Sequence, residues 1–168
     1  MLNNLKIGVR LGVGFAVVLL LLAVVSVISV TRLSELNEEV DNLVTDKYPK
    51  TIDAIDVVRA MNGIAQINRN LLLITDPAEN QKQLARIAEQ RKIITDNING
   101  LEKKITSDEG KKLLAKMNET RAAYVATLEK YLGMVQSGER DNAIKLLFGD
   151  MRPATDAYMT AIRGLIDF

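Results

Sequence analysis

The sequence predicts an all-α protein, an antiparallel up-down-up-down four-helix bundle preceded by one transmembrane helix. Near the N-terminus, 21 consecutive residues carry no charge. Farther along, apolar residues recur at alternating spacings of three and four, which is the pattern of helices packed in a bundle. Short turn sequences divide this part into four segments, and the alternation typical of β-strands does not accumulate.

The uncharged segment from Leu11 to Thr31 predicts the transmembrane helix. At about 1.5 Å per residue it spans roughly 31 Å, the thickness of a bilayer core. Lys6 and Arg10 precede it and acidic residues follow it, so the positive-inside rule makes residues 1–10 a cytoplasmic leader and residues 32–168 an external domain. The alternative is a cleaved signal peptide, whose apolar core would be only about 7 to 15 residues long.

Four helices are expected outside the membrane. The first should reach about Thr75, with a kink at Pro49, because proline removes a backbone donor. Asp76 and Pro77 begin the second helix, since a capping carboxylate followed by proline is a typical helix start. The third and fourth helices are predicted from about Glu109 to Val135 and from about Arg140 onward, with Gly149 and Pro153 marking a bend.

Composition excludes several classes of function. The 22 basic and 21 acidic side chains give a net charge of +1, so the broad positive field needed for nucleic-acid binding is absent. Cysteine and histidine are absent, which removes the usual groups of thiol chemistry, soft-metal sites and proton transfer at neutral pH. We therefore expect no enzyme, no cofactor and no metal site.

Several segments carry a family resemblance: the basic leader, the single span, DKYPKT, LLLITDP and GERDNAIKLLFGDMRPATDAY. Together they resemble the N-terminal sensor region of bacterial methyl-accepting chemotaxis proteins. The resemblance implies an inner-membrane protein with a periplasmic four-helix bundle that forms a homodimer through its first helix and binds a small molecule. Ligand binding would shift the fourth helix relative to the first and thereby control a cytoplasmic histidine kinase complex. A second membrane helix is expected to begin near Phe168.

One candidate ligand site lies on the outer face of the first bundle helix. This face keeps heptad spacing but is polar in its middle, and its residues are Ile52, Ile55, Arg59, Asn62, Gln66, Arg69 and Leu73. The resemblance implies that arginines here clamp an anion across the dimer interface; Arg69 fits best and Arg59 less well. It also implies a contribution from residues beside a proline on the fourth helix, here Arg152 and Thr155. The alternative is an ordinary solvated helix face.

A second candidate site follows from heights along the bundle. Arg91 and Arg121 interrupt the apolar seams of the second and third helices, each 14 residues from the membrane-distal end, so they should share a layer. Residues at or near this level are Asn62, Tyr124, Thr155 and Tyr158. Unpaired buried arginines are costly, so we expect a bound di- or tricarboxylate, internal pairing with Asp56, Asp96 or Asp156, or orientation toward solvent.

The arginines favour a small organic anion as ligand, a carboxylate or an amino acid, because the guanidinium fork suits bidentate carboxylate recognition. Whether the site lies between subunits or within one bundle stays open. Two other functions also remain: the input domain of a sensor histidine kinase or cyclic-dinucleotide enzyme, and a ligand-free, membrane-tethered structural coiled coil.

Overall fold

The computed structural model describes residues 6–168, and within them every regular element is a helix. Its helices are α1 (Ile7–Asn42), α2 (Tyr48–Leu71), α3 (Pro77–Lys104), α4 (Asp108–Gln136), α5 (Arg140–Phe148) and α6 (Met151–Ile166), with a π-helical segment at Leu43–Lys47. The chain forms two compact units, Met1–Thr45 and Asp46–Phe168. The predicted all-α class is confirmed.

The first unit consists mainly of α1. The predicted span Leu11–Thr31 lies within this helix, whose apolar side chains are exposed along its length. It is long and apolar enough to cross a membrane. Of the predicted leader, residues 1–5 lie outside the described residues.

The helix expected to kink at Pro49 is irregular before that residue. Leu43–Lys47 forms π-helical turns, and Pro49 lies in the first turn of α2. Helical turns run directly into Pro49, since Lys47 also has helical backbone angles, so a residue with an N–H would find an acceptor there that proline cannot use. The register change that proline requires is therefore taken up by the five residues ahead of Tyr48.

The second unit begins its helices largely where the sequence predicts. The Asp76 carboxylate accepts a hydrogen bond of 2.9 Å from the N–H of Ala78, and so caps α3. The hydroxyl of Ser107 caps α4 in the same way. However, α2 ends at Leu71 and not at about Thr75. Its last turn tightens to i→i+3 hydrogen bonds, as from the N–H of Leu72, and the chain then becomes extended ahead of the proline that starts α3.

The fourth bundle helix is divided into α5 and α6, which confirms a bend at Gly149. A Cβ atom at Gly149 would lie 2.7 Å from the backbone carbonyl oxygen of Lys145, closer than any side chain tolerates. Pro153 lies in the first turn of α6 and does not interrupt it. Glycine at this position therefore permits the break.

Four antiparallel helices enclose the core, with α5 and α6 together forming the fourth. An ion pair of 2.6 Å joins Lys104 at the end of α3 to Asp53 near the start of α2, as antiparallel packing requires. Apolar residues of the predicted seams supply much of the core, including Val57, Ile64, Ile98, Met117 and Leu128. In α6 the buried residue at this position of the seam is Ile162, whereas the predicted seam had Ala161. The closest packing is between α2 and α3 and between α4 and α6, whereas α3 and α4 approach each other less closely.

Candidate functional site

A cavity of about 550 Å³ is lined mainly by residues of α3 and α4. Arg91 on α3 and Arg121 on α4 both line it, and Tyr158 brings α6 to its wall. The rest of the lining is mostly apolar: Ile64, Ile94, Thr95, Asn118, Ala122, Tyr124, Val125, Ala126 and Leu128. We call this space the α3–α4 cavity.

The two arginines of the α3–α4 cavity have different partners. Arg91 forms an ion pair with Glu129 on α4, with 2.7 Å between Nη1 and Oε1. Arg121 donates from Nη2 to the hydroxyl oxygen of Thr95 at 2.9 Å. This hydroxyl in turn donates to the backbone carbonyl of Arg91 at 2.9 Å. The charge of Arg91 is therefore balanced by a carboxylate, whereas Arg121 is bonded to a neutral group.

The acids expected to pair with these arginines do not do so. Asp56 pairs with Arg59 three residues later, and Asp96 pairs with Lys92 four residues earlier, each at 2.7 Å. Residues three or four apart are neighbours on the surface of one helix, so such pairs form however the helices pack against each other. Asp156 lies on the wall of a different cavity. The expectation of internal pairing with these three acids was wrong, because the carboxylate that meets Arg91 comes from Glu129.

Two buried tyrosines close the inner side of the α3–α4 cavity. The rings of Tyr124 and Tyr158 are 5.7 Å apart between centroids and inclined at 33°. Burial raises the pKa of Tyr158 to about 12, against a lowering effect of the nearby Arg121 charge. Burial also raises the pKa of Tyr124, which Arg91 opposes. Both phenols are therefore neutral hydrogen-bond donors at physiological pH, and the buried Tyr158 hydroxyl has no partner among residues 6–168.

A second cavity of about 260 Å³ lies beside α2, α5 and α6. Arg69 and Arg152 line it, are exposed, and form no ion pair within residues 6–168. The Thr155 hydroxyl donates to the Met151 carbonyl at 2.8 Å. The other lining residues are Ala65, Asn68, Tyr124, Leu147, Phe148, Met151 and Asp156. We call this space the α2–α6 cavity.

The predicted site residues thus divide into three groups. The α3–α4 cavity brings together Arg91, Arg121, Tyr124 and Tyr158. The α2–α6 cavity brings together Arg69, Arg152 and Thr155, and Tyr124 lines both. Asn62 and Arg59 line neither; both are exposed on α2. Asn62 follows the buried Ala60 by two residues and precedes the buried Ile64 by two, so it points about 200° away from the core.

Asn68 is a lining residue that the sequence reasoning missed. It is 1% exposed, its Nδ2 lies 3.8 Å from the Met151 sulfur, and its Oδ1 has no partner within the described chain. Its backbone carbonyl accepts a hydrogen bond from the Tyr131 hydroxyl. The signal was present, because Asn68 lies four residues after Ile64 and three before Leu71, on the core face of α2.

Metal-ligating residues do not cluster in the part of the chain that the structure describes. No group of three or more histidine, cysteine, aspartate or glutamate side chains could hold an ion there. The side chains that line the two cavities offer hydrogen-bonding groups, charge and apolar contact.

The family model of a four-helix-bundle sensory module for signal transduction matches residues 4–168. The chain belongs to this family. Among curated proteins, none is significantly similar to the chain. The match confirms the resemblance to the sensor region of methyl-accepting chemotaxis proteins, and the two cavities are thus features of a sensory module.

Proposed function

We propose that this sensory module is the sensor domain of a bacterial chemoreceptor and binds a small organic anion in the α3–α4 cavity. The apolar α1 would anchor it in the inner membrane, and the positive charges ahead of that helix favour a periplasmic position for the bundle. Family membership supports a role in signal transduction.

The observation that carries the proposal is the pair of unsatisfied polar groups at one cavity. Arg121 is half-buried and bonded only to the neutral Thr95 hydroxyl, so its positive charge has no balancing carboxylate within the described residues. The Tyr158 hydroxyl is buried and also lacks a partner there. A carboxylate accepts hydrogen bonds from both donor types, and its charge would balance the guanidinium.

Signal output would follow from the helices that such a ligand contacts. An anion held by Arg121 and Tyr158 touches α4 and α6 on one side, and Thr95 places α3 on the other. Binding would therefore favour one spacing of these helices over another, which is how a ligand shifts a two-state equilibrium. In a chemoreceptor, two copies would associate through the polar face of α2. The change in helix spacing would then be transmitted to a cytoplasmic histidine kinase complex.

Isothermal titration calorimetry of the full chain in lipid nanodiscs tests the proposal. The panel contains organic carboxylates together with neutral and cationic compounds of similar size. Binding of a carboxylate is expected, and Arg121→Gln should weaken it by about tenfold or more, the value of a charge-assisted hydrogen bond. Arg59→Gln is the matched control, because Arg59 lies outside both cavities.

Other outcomes of the same titration would redirect the proposal. Loss of binding in Arg152→Gln but not in Arg121→Gln would move the site to the α2–α6 cavity. Binding only of neutral or cationic compounds would refute an anion sensor. Sedimentation of the full chain with and without the tightest ligand then tests for a homodimer, since a ligand that bridges subunits must raise the dimer fraction.

A ligand-free structural coiled coil is the second candidate, and the Arg91–Glu129 ion pair favours it. This pair shows that the bundle itself can satisfy one of its two seam arginines. The structural candidate predicts that no compound of the panel binds and that Arg121→Gln changes only stability. Any saturable carboxylate binding that depends on Arg121 would exclude it.

A further inference from the structure

We infer that the anion is a monocarboxylate with an apolar body about the size of a ring. This inference rests on the proposed function and narrows it. The sequence alone suggested a di- or tricarboxylate from the two arginines in one layer, and a carboxylate or an amino acid from the distal arginines as a group. In the structure, one of these two arginines already has a carboxylate partner, and the lining around them is mostly apolar.

Only one of the two cavity arginines has an unbalanced charge. Glu129 reaches Arg91 across the α3–α4 gap at 2.7 Å, whereas Arg121 has only the Thr95 hydroxyl. The lining contains no lysine and no third arginine. One carboxylate would therefore balance the site. A second carboxylate, or the ammonium group of an amino acid, would find no free charge of opposite sign among the lining side chains.

Apolar walls occupy most of the remaining surface of the cavity. Ile94 lines it from α3, Val125 and Leu128 from α4, and Ile64 from α2. The inclined rings of Tyr124 and Tyr158 offer aromatic contact at the inner side. A closed cavity of about 150 Å³ already holds benzene. At about 550 Å³ the α3–α4 cavity has room for a ring, its carboxylate and hydrating water.

The polar donors lie together, so the ligand would have a defined orientation. Arg121 and Tyr158 both line the α3–α4 cavity, and the Arg121 charge opposes the effect of burial on the pKa of the Tyr158 hydroxyl. Arg121 would hold the carboxylate, and a small shift of the cavity wall would let the buried Tyr158 hydroxyl donate to the same group. The apolar body would then extend along the walls from α3 and α4.

Calorimetry of the full chain in nanodiscs, with benzoate and cyclohexanecarboxylate against succinate, citrate and aspartate, tests this inference. The two ring monocarboxylates should bind at least about tenfold more tightly than the others. Only they bury apolar surface without bringing a second charge that has no partner in the cavity. Toluene tests whether the carboxylate contributes, and it should bind more weakly than benzoate.

The substitution Glu129→Gln examines the charge count directly. It frees the Arg91 charge, so affinity for a ring dicarboxylate such as terephthalate should rise by about tenfold while benzoate affinity changes little. Glu119→Gln is the matched control, since Glu119 lies on the same helix, pairs with Lys116 and is outside the cavity. Equal effects of the two substitutions would overturn the charge argument.

The possible failures are distinguishable. Tighter binding of succinate, citrate or aspartate than of benzoate would overturn this inference and leave the anion sensor standing. Absence of binding by any carboxylate would overturn both. Toluene binding as tight as benzoate would show an apolar site in which Arg121 has no role.

Discussion

Replacing Tyr158 with phenylalanine should stabilise the bundle while weakening ligand binding. The hydroxyl of Tyr158 is buried without a partner among residues 6–168, and its ring is packed in the core. Phenylalanine keeps the ring contacts and removes the unsatisfied group. Such a group costs about 1–3 kcal/mol, so the free energy of unfolding should rise by about 1 kcal/mol or more. For a domain of this size that raises Tm by about 4 °C.

The same chemical change at Tyr131 should have the opposite effect on stability. Its hydroxyl donates to the backbone carbonyl of Asn68, in the last turn of α2, where carbonyls lose their helical donors. Tyr131→Phe leaves this carbonyl without that donor and should lower the free energy of unfolding by about 1–3 kcal/mol. Tyr48→Phe is the control, because Tyr48 is 61% exposed and should change stability little.

Thermal and urea unfolding of the full chain in detergent, followed by far-ultraviolet circular dichroism, measures all three variants. The reasoning is refuted if Tyr158→Phe is destabilised as much as Tyr131→Phe. Benzoate titration of Tyr158→Phe should in turn show affinity lower by about tenfold, the loss of one hydrogen bond to a charged acceptor. Increased stability together with unchanged affinity would leave Tyr158 outside the binding site.

Three further predictions concern helix ends, glycines and pH. Asp76→Ala removes the N-cap of α3 and should lower the free energy of unfolding by about 1 kcal/mol in urea titrations. Gly149→Ala should destabilise, because its Cβ would lie 2.7 Å from a carbonyl oxygen, whereas Gly133→Ala meets nothing within 4 Å in α4 and should stabilise by about 0.5–1 kcal/mol. Burial raises the pKa of Tyr131 and Tyr158 from 10.0 to about 12, so these groups do not change the free energy of unfolding below pH about 10 but lower it as the pH rises toward about 12. Unfolding at increasing pH measures this loss, and the double phenylalanine variant should show a shallower decline.

Much of the fold could be predicted because its signals are local. The capping carboxylate of Asp76 and the following proline specify a helix start through the backbone alone, and the structure has that start. The seam of α2 specifies its buried face through a spacing that depends only on helix geometry. The end of α2 was predicted too late, because its last turn changes from i→i+4 to i→i+3 hydrogen bonds. The residue types in that turn do not specify which of the two patterns forms.

The candidate site could be predicted only in part. Counting residues from the distal helix ends placed Arg91 and Arg121 in one layer, because the rise per residue is constant, and the structure brings them to one cavity. Height does not determine rotation about the helix axis, which is why Asn62 was included although it points outward. Glu129 was missed because a long side chain can cross between helices at a height that its Cα does not share.

The unequal packing of the bundle has a mechanical consequence. The module consists of two tightly packed helix pairs, α2 with α3 and α4 with α6, and the looser boundary lies between the pairs. A displacement within either pair would disrupt its interdigitated side chains, whereas sliding of one pair past the other disrupts fewer. The first and last bundle helices belong to different pairs. A compound bound between α3 and α4 would therefore move one pair relative to the other. The contact between α2 and α6, on the opposite side of the same boundary, would change as a result.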